Sequence, residues 1–249
     1  MISRALVLLL FVALAAQAQR TPYVIDSRNA TIKGVSIKAE PGGKVKLEVE
    51  PGSWRTFSAS QFKYAYSPPP KSLRDAQTAM RARDWKKALP ILDAAFKSHG
   101  QLGWAGSIAR VRAKCHLELG QTAEAKVAVA EGLRYEKSRE KKNQLKIMQA
   151  EIEVAGGDLA KAEKTIANLQ ASLDDPLTAT TLLNVRGKLL AAKGLKKDAV
   201  LEYLKTALVF KPGNDNHEEA LTQIVALLKD LKDNRHTDFQ AMLKQQYGN

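Results

Sequence analysis

The chain has 249 residues and a formal charge of +13, and its single cysteine, Cys115, excludes an intramolecular disulfide. The basic excess lies in the first half: residues 19–150 hold 25 basic and 12 acidic side chains, whereas residues 151–249 hold 13 and 14. That asymmetry fits an anionic partner at residues 19–150 (a polyanion, an acidic protein or a membrane surface) or a basic surface that is simply solvated.

Residues 1–18 read as a secretory signal peptide. Arg4 supplies the charged start, Ala5 to Ala16 form an apolar run, and Ala16-Gln17-Ala18 fits the small-x-small cleavage pattern. The run is too short for a spanning helix, which needs about twenty residues. Cleavage after Ala18 is expected, with an uncleaved anchor as the alternative. The mature chain is then exported, periplasmic or secreted, with no membrane span.

Residues 19–67 form a small β-rich module. Val35, Ile37 and Ala39 alternate with polar residues, as do Val45, Leu47 and Val49, and Glu40-Pro41-Gly42-Gly43 lies between them. Alternation around a short Gly-containing loop predicts a hairpin. Pro51-Gly52 and the aromatics Trp54, Phe57, Phe62, Tyr64 and Tyr66 follow, giving about four short strands in all. A module this small rarely holds itself together and is expected to dock on the helices or on another chain. Its aromatics read as the core of a tiny sheet, or, if exposed beside Arg55 and Lys63, as a stacking surface for sugars or bases. Residues 68–71, three prolines and Lys71, form a short semi-rigid linker.

From residue 72 the sequence repeats. Ala88, Ala125, Ala162 and Ala199 stand 37 residues apart; Ala76, Ala113, Ala150 and Gly187 form a second column, and Gly120, Gly157 and Gly194 a third. A fixed period of this length marks a repeat architecture. The small columns suit close crossings of paired helices, and the glycines suit the left-handed residue that ends a helix. The first copy has Arg83 at that turn, followed by Asp84, so its turn is expected to be made differently. Helices are predicted from Trp104 to Leu119 and from Ala123 to Tyr135, with a last pair from His217 to Leu231 and Thr237 to Tyr247. The fold class is therefore mainly α, a helix-turn-helix array of four repeats over residues 72–212. A degenerate fifth pair over 213–249 serves as a C-terminal cap, with Lys229, Asp230, Lys232 and Asp233 on its outer side.

Leu119-Gly120-Gln121-Thr122-Ala123-Glu124-Ala125 and Lys193-Gly194-Leu195-Lys196-Lys197-Asp198-Ala199, with Tyr203, Ala207 and Pro212, resemble the tetratricopeptide repeat family, an α-solenoid. The period of 37 departs from the family's usual length of about 34 residues. The extra residues are expected between repeats, near Glu136–Asn143 and Ser172–Leu177. The resemblance implies a concave groove lined by the first helix of each repeat. Carried onto this chain, the groove residues are Gln77 and Arg81, then Ser107, Arg110 and Lys114, then Gln144 and Glu151, then Thr181, Asn184 and Lys188. Arg110 with Lys114 and Asn184 with Lys188 are fragments of the family's carboxylate clamp, too few to predict one.

No catalytic constellation is visible. His99, His116, His217 and His236 have no metal-binding spacing, Cys115 lies in the apolar ridge of its helix, and Asp174-Asp175 reads as turn chemistry. No nucleophile elbow, phosphate loop or dinucleotide fingerprint occurs, so no reaction, cofactor or metal is expected. The leading reading is an envelope scaffold holding a protein or peptide partner. The alternative is a module that binds nucleic acid, acidic glycan or anionic lipid through its basic half.

Overall fold

A computed structural model of the chain describes residues 21–169, 175–212 and 215–248. The expected signal peptide, its cleavage site and Asp174 lie outside them. The protein is mainly helical, with antiparallel sheet at its N-terminal end. Among the described residues no helix is long and apolar enough to cross a membrane.

The strands are β1 (Tyr23–Asp26), β2 (Thr31–Lys33), β3 (Ser36–Glu40), β4 (Lys44–Glu50), β5 (Ser53–Phe57) and β6 (Phe62–Tyr66). They form two three-stranded sheets, ordered β2-β1-β6 and β3-β4-β5. The predicted hairpin is β3–β4, with Ile37 opposite Leu47 and Ala39 opposite Val45. Six strands stand among the described residues, where about four were expected. β1 and β2 are four and three residues long, too short to show alternation. β1 also pairs with β6 from the far end of the module, Tyr23 opposite Tyr66.

Val24, Val45, Leu47, Phe57 and Ala65 form the core of this module, and Leu102, from a turn between helices, completes it. Around that plug, Ser67 N–H donates to the Leu102 carbonyl (3.2 Å) and the Trp104 indole donates to the Ser67 carbonyl (2.9 Å). The module thus gains from the helices the apolar surface it lacks alone.

Ten α-helices follow among the described residues: α1 (Ser72–Arg81), α2 (Trp85–His99), α3 (Ala105–Glu118), α4 (Thr122–Tyr135), α5 (Arg139–Ala155), α6 (Leu159–Ala167), α7 (Pro176–Ala192), α8 (Lys196–Val209), α9 (Asp215–Asp230) and α10 (His236–Tyr247). The chain divides into two compact units, residues up to Lys142 and residues 143–249. The β module and α1–α4 share the first.

One turn recurs five times among the described residues. Arg83, Gly120, Gly157, Gly194 and Lys232 each take positive φ, between 56° and 79°. In each copy the N–H of that residue donates to the carbonyl three back, and the next N–H to the carbonyl five back, all within 2.8–3.0 Å. This double bond pattern caps the otherwise unpaired last carbonyls of the first helix. Arg83 and Lys232 carry a Cβ in a conformation that penalises one.

The second helix of each pair begins just beyond this turn. Asp84 and Asp158 cap α2 and α6 by accepting the N–H of Lys87 (3.0 Å) and Lys161 (3.3 Å). Leu195 holds the same backbone angles, φ −82° and ψ 60° against −84° and 65° at Asp158, and its side chain caps nothing. The copies therefore show how to repair one another. Arg83→Gly and Leu195→Asp should each raise stability by about 1 kcal/mol, read as a higher urea midpoint at an unchanged slope.

The small columns are the interior of the pairs. Ala88, Ala125, Ala162 and Ala199 are all fully buried, as are Ala76, Ala113 and Ala150 to within 1 %. In the fourth pair Gly187 faces the Tyr203 ring, and a Cβ on the glycine would lie 2.7 Å from two ring carbons. The fifth pair departs from the register, with Ile224 at the small position. His217, fully buried, fastens it to the fourth: its Nε2–H donates to the Ala207 carbonyl (3.0 Å), and its Nδ1 is hydrogen-bonded to the Tyr247 hydroxyl (2.9 Å).

Candidate functional site

The ten expected groove residues fall into two groups, one in each unit. In residues 143–249 they turn inward and are held by the chain itself. Lys188 Nζ lies 2.5 Å from Glu151 Oε1 on α5 and 2.5 Å from Glu219 Oε1 on α9. Burial alone would lower the pKa of Lys188, but the two carboxylates more than offset it and hold the amine above the usual lysine range. Asn184, 1 % exposed, donates from Nδ2 to the Asn216 carbonyl (2.8 Å) and to Glu219 Oε2 (3.3 Å). Thr181 donates to the Leu177 carbonyl (2.7 Å) and accepts from Asn216 Nδ2 (2.9 Å).

Gln144 Nε2 donates to Thr178 Oγ1 (3.3 Å), which in turn donates to Asp175. Asp175 caps α7 through the N–H groups of Leu177 (3.3 Å) and Thr178 (2.9 Å), so the turn role expected of this carboxylate is its role in the fold. The Thr178 hydroxyl, and secondarily these backbone groups and Gln144, holds the Asp175 carboxyl below its ordinary value against the opposing effect of burial. Tyr203 lies beside the same cluster, and its hydroxyl has no hydrogen-bond partner among the described residues. Burial first, then the Glu219 and Glu151 charges, push its pKa up against the opposing effect of Lys188.

Glu151, Thr181, Asn184 and Lys188, expected at a groove, are thus all bonded within the chain. Side chains read as facing a partner bridge α5, α7 and α9. The physical reason is that first helices of successive copies are neighbours, so like-numbered positions meet. The sequence carries the signal: Lys114, Glu151 and Lys188 share one register position with alternating charge. Asn216 and Glu219 fall in the pair where the register fades, so the period does not point to them.

In residues up to Lys142 the group differs. Gln77 and Arg81 are exposed on α1, on the same face as exposed Arg74. Ser107, Arg110 and Lys114 are half-buried on α3, and Lys114 Nζ lies 3.1 Å from Glu118 Oε1. Arg112 turns the other way. Its guanidinium meets Asp93 (2.7 Å) and Glu131 (2.6 Å) and stacks 5.0 Å from the Phe96 ring centroid, tying α2, α3 and α4 together. Nothing in the repeat pattern singles out Arg112 for this role. The exposed character of the α1 face is basic.

The β module adds a second basic surface. Lys38 and Lys46 lie opposite each other on β3 and β4, and their amines stand 5.2 and 5.4 Å from the Trp54 ring centroid. Trp54 is 38 % exposed, while Phe57 is in the core and Tyr23 stacks on Tyr66 at 5.3 Å. The aromatics thus divide between core and surface.

Cys115 is buried, and burial above all pushes its thiol up to about 11, which keeps it protonated and poorly nucleophilic at neutral pH. Burial lowers the pKa of His99. Among the described residues no group of three His, Cys, Asp or Glu side chains is placed to hold a metal ion. The chain matches no protein-family model, and no curated protein matches it in sequence.

Proposed function

We propose that this chain is an α-solenoid of tetratricopeptide-like repeats, exported to the cell envelope, where it serves as a non-enzymatic scaffold for an acidic peptide or protein segment. The 37-residue register and its recurrent two-bond turn support the repeat reading. The observation that carries the partner reading is the contrast between α1 and the groove positions on α5 and α7. Those on α5 and α7 are engaged within the chain, whereas α1 presents Arg74, Gln77 and Arg81 to solvent. Arg110 and Lys114 lie one turn apart on α3. A basic helix face attracts an acidic segment and fixes its register by charge.

Titration of labelled acidic peptides against residues 19–249, read by fluorescence anisotropy, tests this. Arg110→Glu with Lys114→Glu should weaken binding by about tenfold or more, because rim charges reversed against a partner repel it. Equal binding of the same peptides by this variant and the unchanged chain would sink the proposal.

The Trp54 surface favours a second reading, a polyanion held by the β module. Affinity for heparin or single-stranded DNA should then fall steeply with salt and drop on Trp54→Ala with Lys46→Glu. Binding that ignores both salt and these substitutions excludes it.

A further inference from the structure

The most apolar exposed surface lies on α8. Leu201, Leu208 and Val209 are 58 %, 61 % and 74 % exposed. Leu201, Leu204 and Leu208 recur at three and four residues, so they form one row along the helix. A groove runs along each side of that row. One, of about 550 Å³, is walled by Leu190 of α7. The other, of about 790 Å³, is walled by Leu228, Leu231 and Phe239 of the fifth pair.

The repeat itself shows that the fold does not require this row. At the position of Leu208 the earlier copies carry Lys97, Arg134 and Ala171, and at the position of Leu201 they carry Pro90, Val127 and Lys164. The hairpin therefore accommodates a solvated charge at both places, and only the fourth copy presents leucine at both. An exposed apolar row with flanking grooves marks a contact surface.

Charge selects the occupant. The charged residues that line the two grooves are close to balanced, Lys197, Lys205, Lys232 and Arg235 against Asp198, Glu202 and Asp233, and Lys205 pairs with Glu202 (2.7 Å) and Arg235 with Asp233 (2.6 Å). A strongly charged partner gains little there from charge. Two copies of this chain carry +13 each and repel wherever their basic halves meet, but residues 151–249 hold 13 basic and 14 acidic side chains. A two-fold contact on α8 keeps the repelling charge out of the interface and lays the leucine row of one copy along the groove of the other. We propose that the Leu201–Leu204–Leu208 face of α8 is the interface through which two copies of this chain form a symmetric dimer.

Sedimentation velocity of residues 19–249 from about 1 to about 100 µM, where interfaces of ordinary size associate, decides the matter. The unchanged chain should pass from monomer to dimer across that range. Leu201→Lys with Leu208→Arg installs residues that other copies carry at the same positions. It should weaken the dimer by at least about a hundredfold with the same helix content by circular dichroism. Val127→Lys, at an equally exposed apolar side chain on α4, should leave dimerisation unchanged. A wild-type chain that stays monomeric throughout, a dimer that survives the double substitution, or an equal loss with Val127→Lys would each overturn the proposal.

Discussion

Replacing Lys188 with methionine should lower the stability of the protein by about 3 kcal/mol, the cost of leaving largely buried carboxylates without their shared counter-charge. The Lys188 amine stands at the same short distance, 2.5 Å, from Glu151 and from Glu219, so its removal disturbs both at once. Its side chain is 23 % exposed, and theirs are 10 % and 29 % exposed. The methionine fills the same stem volume, so packing loss is small and the charge imbalance dominates. The partial exposure keeps the cost at the lower end of that expected for a fully buried pair. Adding Glu151→Gln should recover part of the loss, giving a coupling of about 1–3 kcal/mol in a double-mutant cycle of urea denaturations.

The pH dependence of this effect has a definite sign. The folded-state pKa of Lys188 is raised, so its contribution is fully present below the unfolded value of about 10.4 and is lost as pH rises through the folded value. The cost of Lys188→Met should therefore be the same at pH 7 and pH 9. A cost that vanishes by pH 9 would mean that the amine does not hold the two carboxylates.

Gly187→Ala is the second large effect. The added Cβ would meet the Tyr203 ring at 2.7 Å, and the ring, fully buried, has nowhere to go. Overpacking of this kind costs about 1–3 kcal/mol, while alanine's better helix propensity returns about 0.5–1 kcal/mol. The packing term wins, and a net loss of about 1–2 kcal/mol is expected. The second copy supplies the remedy, since Ala113 there occurs with Val129 at the position of Tyr203. Tyr203→Val alone should cost about 3 kcal/mol through the cavity it leaves. The Gly187→Ala and Tyr203→Val double variant should cost clearly less than the sum of the two, because the methyl fills space that the ring vacates. Strict additivity would deny that Gly187 and Tyr203 face each other.

The two small-residue columns, those of Ala88 and of Ala76, show what was legible in the sequence. Small residues at a fixed interval are visible because each must sit where two helices cross, and the seven alanines among them are buried. The turn glycines are visible because a left-handed residue is required once per pair. Arg83 and Lys232 fill that role against their own preference, so composition could not reveal that their turns are built like the others.

Contacts between distant segments were harder to read. β1 and β6 meet across the whole module. Leu102 belongs by sequence to the helices and by packing to the sheets. At the groove positions, polarity alone does not distinguish a side chain awaiting a partner from one already held by the next helix. Glu151 and Lys188 are 37 residues apart and oppositely charged, and that pairing carried more information than the polarity of either.

Hydrogen–deuterium exchange of residues 19–249, with and without the acidic peptide that binds most tightly, tests the central functional claim most directly. Protection on binding should appear in α1 and α3, where Arg74, Arg81, Arg110 and Lys114 lie, and should leave α5 and α7 unchanged. Protection confined to α5 and α7 would mean that the partner displaces the Lys188 network, and it would contradict a binding face on α1 and α3.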